Sequence, residues 1–265
     1  MYSGPISDRH RHGGGGTVTR ALLWLLTLGV IGLNIAWALA EGEQRRDLTI
    51  ASVLVFFAAS TLHAMVERGY LWTLGFLVIA VGGGLAWEAV GVATGWPFGD
   101  YSYDPEALGP TVWDVPIVIP LAWAMMAYPC LIAARRLATG FLVTPLVGAL
   151  ALAAWDLFLD PMMVAEGYWS FADPEPALPH VDGVPYSNYA GWYLAAFVLM
   201  LVLDRLPRRR GTDDRVPAVL FLWTYVSSVV GNLFVFDRPW VALYGGIAMG
   251  LVAVPYAAAL WLRTD

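Results

Sequence analysis

Two carboxylates stand alone inside long apolar runs of this chain: Glu88 follows Ala86-Trp87, and Asp156 follows Ala154-Trp155. An acid facing lipid costs about 2.5–3.5 kcal/mol even on the gentlest insertion scale, so such residues turn toward a bundle interior. There they either pin helices together by a hydrogen bond or do chemistry, and the chemistry open to them is proton transfer. Two acids close together at low dielectric constant cannot both ionise readily, so one keeps its proton. A proton donor beside a proton acceptor in a dry cavity is the equipment of general acid–base catalysis. Asp160 lies one turn beyond Asp156 on the same helical face. Pro161 follows it and biases it away from regular helix, so Asp160 belongs either to the site or to a kink.

The surroundings of the two acids match. Ala86-Trp87-Glu88 corresponds to Ala154-Trp155-Asp156, and in both copies a glycine follows the acid by eleven positions, Gly99 and Gly167. Next come the triplets Tyr101-Ser102-Tyr103 and Trp169-Ser170-Phe171. After one extra residue in the second copy, Val115-Pro116 and Val184-Pro185 follow, each with a tryptophan seven places on, Trp123 and Trp192. The spacing predicts a parallel internal repeat, with units of about 70–136 and 139–206, related by a pseudo-two-fold axis along the membrane normal. Glu88 and Asp156 are then expected at one depth, facing each other roughly 10 Å below the outer helix ends at 1.5 Å per residue. Trp87, Trp96, Tyr101, Tyr103, Trp155 and Trp169 gather at the same boundary, with Trp113 among them. They make either an interfacial aromatic belt or a slot for a flat apolar ligand, whose π faces stabilise a cation. Asn188, at the start of the sixth span, caps it or hydrogen-bonds a ligand.

Elements that could position these groups follow from composition. Apolar residues make up 58% and charged residues 14%, with a mean hydropathy of +0.61; soluble domains run nearer 25% charged. The chain reads as an all-α polytopic membrane bundle of about eight helices, near 20–40, 48–66, 70–95, 113–134, 140–164, 189–206, 216–236 and 239–262. Residues 1–19, which include His10 and His12, are expected as a flexible tail ahead of one transmembrane domain, 20–265. With the N-terminus cytoplasmic, twelve arginines fall inside and three (Arg45, Arg46, Arg238) outside. That satisfies the positive-inside rule and predicts a multi-pass cell-membrane protein with both termini cytoplasmic. The long loops 96–112 and 165–188 are then outside, with helices 3 to 6 as the core.

Other residues carry blander readings. His63 and Glu67 are four apart, next to Arg68, and suggest a boundary network more than catalysis. Asp114 is a candidate cap for the fourth helix, Asn232 candidate interhelical glue, and Gly82-Gly83-Gly84 a close helix contact. All 15 basic residues are arginine, which excludes a lysine Schiff base. The single Cys130 excludes a disulfide framework. No phosphate-cradling loop, metal-ligand cluster, nucleophile elbow or dinucleotide fingerprint is present, and nothing points to nucleic acid.

Four blocks, Glu88–Asp104, Val115–Trp123, Asp156–Phe171 and Gly183–Trp192, resemble the membrane carotenoid biosynthesis family over roughly residues 50–235. That family includes hydratases acting on acyclic ends of γ-carotene-like or bacterioruberin-type carotenoids. The resemblance implies a cofactor-independent carotenoid 1,2-hydratase with an acyclic carotenoid substrate, working among membrane lipid and other carotenoid-pathway enzymes. Glu88 and Asp156 would serve as acid and base in either order, and Asp160 would position water. A proton-coupled transporter and a non-catalytic polyene- or lipid-binding scaffold are the alternatives that the same acids allow.

Overall fold

The computed structural model describes residues 13–209 and 211–262. Among the described residues eight helices are long and apolar enough to cross a membrane. They are α1 (Gly13–Leu39), α2 (Gly42–Arg68), α3 (Tyr70–Thr94), α4 (Val118–Leu137), α5 (Val143–Ala165), α6 (Tyr186–Leu203), α7 (Arg215–Phe234) and α8 (Pro239–Trp261). Helix α1 begins at Gly13, inside the segment expected as a tail, although its apolar span starts only at Thr17. Residues 1–12, with His10 and His12, lie outside the described residues.

Helix α4 is the centre of the bundle. Its residues are buried without interruption from Trp123 to Ala134, and it packs against α2, α3, α5, α7 and α8. Small side chains permit this: Ala124, Ala127, Ala133 and Ala134 leave room on every side. Of helices 3 to 6, expected as the core, α4 and α5 are the most buried, whereas Leu71, Leu74, Val78 and Val90 are exposed along the outer face of α3. Around the site the order is α3–α4–α5–α6, closed by α6 against α3, with the two acid-bearing helices diagonal to each other.

At one end the long loops join. Strand β1 (Tyr101–Tyr103) pairs antiparallel with β4 (Trp169–Phe171), with Tyr101 opposite Phe171, Ser102 opposite Ser170 and Tyr103 opposite Trp169. The two matched triplets are therefore each other's partners. Strands β2 (Thr111–Val112) and β3 (Val115–Pro116) form a hairpin. Asp114 sits in its turn at φ 60°, beside Trp113 at φ 54°, the left-handed pair that a two-residue hairpin turn demands. Asp114 consequently does not cap α4, whose first turn has no side-chain cap.

Two further expectations change. Helix α5 runs through Pro161 to Ala165, because a proline forfeits a single N–H bond and its neighbours hold the helix: Asp160 is bonded to Asn188, and Arg238 donates to the Pro161 carbonyl at 3.3 Å. Asn232 bonds the Ser228 carbonyl of its own helix at 2.9 Å, and among the described residues its side chain links no second helix. At the opposite end, His63 bridges the Tyr128 hydroxyl and the Asp213 carbonyl, each at 2.8 Å, and the Asp213 N–H donates to Glu67 at 3.0 Å. This is the boundary network expected of His63 and Glu67, tying α2 to α4 and to the segment ahead of α7.

Candidate active site

Helix α3 aims Glu88 into the bundle between two glycines, Gly84 and Gly91. A Cβ at Gly84 would stand 2.9 Å from the Trp123 side chain, and one at Gly91 would stand 2.7 Å from the Tyr101 hydroxyl. Their absence lets both donors reach Glu88. Trp123 Nε1 donates to Glu88 Oε1 at 2.8 Å, and the Tyr101 and Tyr103 hydroxyls donate to Oε2 at 2.5 Å and 2.7 Å. An indole N–H is donor-only and each phenol has its proton aimed at the carboxyl, so this nest suits a carboxylate. Burial, followed by the nearby Glu88 charge, pushes both phenols above their ordinary range. They therefore keep the protons they donate.

Across the space, α5 supplies Asp156 and Asp160. Asn188 Nδ2, from the first turn of α6, donates to Asp156 Oδ2 at 3.0 Å and to Asp160 Oδ2. One amide with two hydrogens thus gathers two carboxyl groups. Two buried carboxyls held on one amide cannot both ionise readily at low dielectric constant, which favours a proton on one of them. Asp156 Oδ1 is buried with no hydrogen-bond partner among the described residues, and Trp169 lines the same cavity as Asp160.

Between these groups lies a cavity walled by Glu88, Asp160, Asn188, Phe98, Tyr101, Tyr103, Trp123, Trp155, Leu159, Trp169 and Trp192, among others. About 30 Å³ of it is open to the centres of water molecules, room for a water or two, since one water needs roughly 10–15 Å³ on that measure. Glu88 and Asp160 face it, whereas Asp156 stands behind Asp160 and is not part of the wall. Its aromatics interlock: Trp123 and Trp192 stack at 4.1 Å, Trp155 meets Trp192 edge-on at 6.3 Å, and Tyr103 meets Trp169 at 5.7 Å. Trp87 and Trp96 pack on each other at 5.7 Å outside the wall, and Trp96 is 56% exposed. Of the residues singled out in the sequence, Glu88, Asp160, Tyr101, Tyr103, Trp155, Trp169 and Asn188 meet at one place. Trp123 and Trp192, which the sequence marks only through the repeat, join them, as do Phe98 and Leu159, which no spacing singles out. Among the described residues no three His, Cys, Asp or Glu are grouped to hold a metal ion.

Beyond Trp155 and Leu159 lies a larger chamber of about 190 Å³, which shares those two residues with the acid cavity. Trp37, Val53, Phe56, Met125, Met162, Met163 and Phe236 make it mostly apolar.

Comparison with known proteins decides the family. Residues 48–260 match the family described as "Carotenoid biosynthesis protein". The chain belongs to that family. Both acids, both long loops and the aromatic wall lie inside the matched region. The chain is also similar to the bisanhydrobacterioruberin hydratase of Haloarcula japonica, with 33% identity over 184 residues, covering 66% of this chain and 58% of the relative. It spans less than two thirds of the length of that relative. No solved structure matches the chain.

Proposed function

We propose that this protein is a carotenoid hydratase that adds water to the terminal double bond of an acyclic carotenoid end group and leaves a tertiary hydroxyl. The observation that carries the reading is a pair of opposed acid groups, Glu88 and the Asp156–Asp160 couple, across a water-sized, aromatic-walled cavity in a carotenoid biosynthesis family member. Similarity to a protein named a hydratase supports it.

The donor nest around Glu88 favours its carboxylate, and the couple holds a proton on one of its two carboxyls. In this reading Asp160 delivers that proton to the less substituted alkene carbon, and a C–H bond forms as the π bond breaks. The tertiary cation lies among the faces of Trp155, Trp169 and Trp192, with the Glu88 charge nearby. Water in the cavity attacks the cation and gives its proton to Glu88. The proton then returns to the couple through water, so the net change is addition of one water, and the steps call for no cofactor. The polyene body lies in the apolar chamber, and its end group enters by displacing Trp155 and Leu159. The loop end faces outward and both termini are cytoplasmic, as the arginine distribution favours.

The test is expression in a host that accumulates an acyclic carotenoid, with pigments resolved by mass. Wild type should add the mass of water, and Glu88→Gln and Asp160→Asn should lower product by about 10²–10⁴-fold while eluting as folded protein. Full activity in both variants defeats the assignment of roles; no water adduct from the wild type on any acyclic substrate defeats the function.

A further inference from the structure

The end of the bundle away from the loops holds a further hollow, of about 160 Å³, lined by Arg68, Ile132, Arg135, Arg136, Arg208, Arg209 and Asp214. Five guanidinium groups from three separate stretches of chain converge there: the end of α2, the end of α4 and the segment after α6. We propose that this hollow binds a phosphate group.

Arginines that merely set membrane orientation need only lie on the correct side; these are held in place. Arg68 is 3% exposed, ion-paired with Asp214, and lies 5.8 Å from the ring centres of both Trp72 and Tyr128. Its Nε–H is buried without a partner in the fold, and a buried orphan donor is a rarity that calls for a ligand. Arg135 is fixed by Asp204 at 2.8 Å and by the Leu203 and Leu206 carbonyls. Arg208 reaches Thr144 and Asp204. Arg209 lies across Gly69, where a Cβ would stand 3.2 Å from its Nη2. Arg136 donates to the Ala259 carbonyl and is in no ion pair among the described residues.

Among the described residues, Asp204 and Asp214 are the carboxylates that pair with this group. Five positive charges against two negative ones leave three uncompensated. Forked, planar N–H donors in excess match the tetrahedral oxygens of a phosphate, which accepts two bonds per guanidinium. At the end of a membrane span the phosphate comes either from an anionic lipid headgroup or from a free phosphate or diphosphate.

The experiment uses purified full-length protein in detergent with phosphatidylglycerol or phosphatidylcholine added, and native mass spectrometry to count retained lipid. Arg136→Gln and Arg209→Gln are the variants of choice, since neither residue is ion-paired among the described residues; size-exclusion profiles report folding. Wild type should retain phosphatidylglycerol selectively, less so as salt rises, and each variant should bind it about tenfold more weakly. Inorganic diphosphate forms the second arm, read as a rise in the melting temperature of lipid-free protein. Selective lipid retention that diphosphate cannot displace assigns the site to a headgroup. Stabilisation by diphosphate, lost in the variants and without lipid selectivity, assigns it to a free phosphate. Equal retention of the two lipids with no diphosphate effect, or a ligand effect undiminished in both variants, overturns the proposal.

Discussion

Trp123 and Trp192 stack face to face with ring centroids 4.1 Å apart and planes 2° from parallel. They come from α4 and α6, at corresponding places in the two matched stretches of sequence. Stacking holds Trp123 at the angle from which its N–H meets Glu88 at 2.8 Å, so packing and electrostatics share one side chain. Trp123→Phe keeps an aromatic face and deletes the donor. A hydrogen bond to a charged group is worth about 1.5–3 kcal/mol, so product formation is expected to fall by about ten- to a hundredfold, while the pigment-free protein elutes unchanged. Trp192→Phe keeps every bond to Glu88 and should cost less; product yields from the two variants in one host check the order.

Tyr101 and Tyr103 carry a signature in alkali. Burial holds both phenols above their usual value near 10, so above that pH the unfolded chain releases protons that the folded one retains. Their contribution to stability is whole below pH 10 and is lost as pH climbs toward the folded values. Wild-type melting temperature should accordingly drop more steeply between pH 9 and 11 than that of Tyr101→Phe/Tyr103→Phe. Parallel slopes in a thermal-melt series would contradict this account of the nest.

Gly91 tests the geometry without touching a polar atom. Gly91→Ala puts a methyl 2.7 Å from both Phe98 Cδ2 and the Tyr101 hydroxyl, and overpacking of this kind costs about 1–3 kcal/mol. The hydroxyl must move away from Glu88, so activity should fall by more than stability does. Gly82→Ala meets no atom within 4 Å and serves as the control. Pigment analysis together with melting of both proteins separates the two outcomes.

Leu159 stands between the acid cavity and the apolar chamber. Leu159→Trp should close that passage and suppress product, whereas the volume-conserving Leu159→Met should work nearly as wild type. Equal turnover by the two variants would place the polyene elsewhere.

Hydropathy alone located all eight spans, because long apolar runs separated by Pro- and Arg-bearing turns leave little ambiguity. Glu88 was legible as a lone acid in such a run, and the triplets were legible as matching copies, but not that they would pair as strands. The order of Asp156 and Asp160 was not. Both lie on one face of α5 and both bond Asn188, and only the packing around the cavity shows which carboxyl reaches the open space. The dual duty of Trp123 was hidden as well, since spacing says nothing about where an indole N–H points. Asp114 misled because an Asp ahead of a helix reads as a cap, and nothing in the local sequence reveals that its backbone is left-handed. The arginine hollow escaped for a related reason: its members are scattered between positions 68 and 209, and a charge tally sees them only as a sidedness signal.

The three-residue ladder between β1 and β4 has one more consequence. It stitches both long loops into a cap over the acids, so the polyene of the proposed reaction need not cross the aqueous rim. For that reaction the expected way in is sideways, from the oil of the bilayer. The product it predicts would retreat along the same path, greasy end first, with its new polar tip the last part to leave the cover of that ladder.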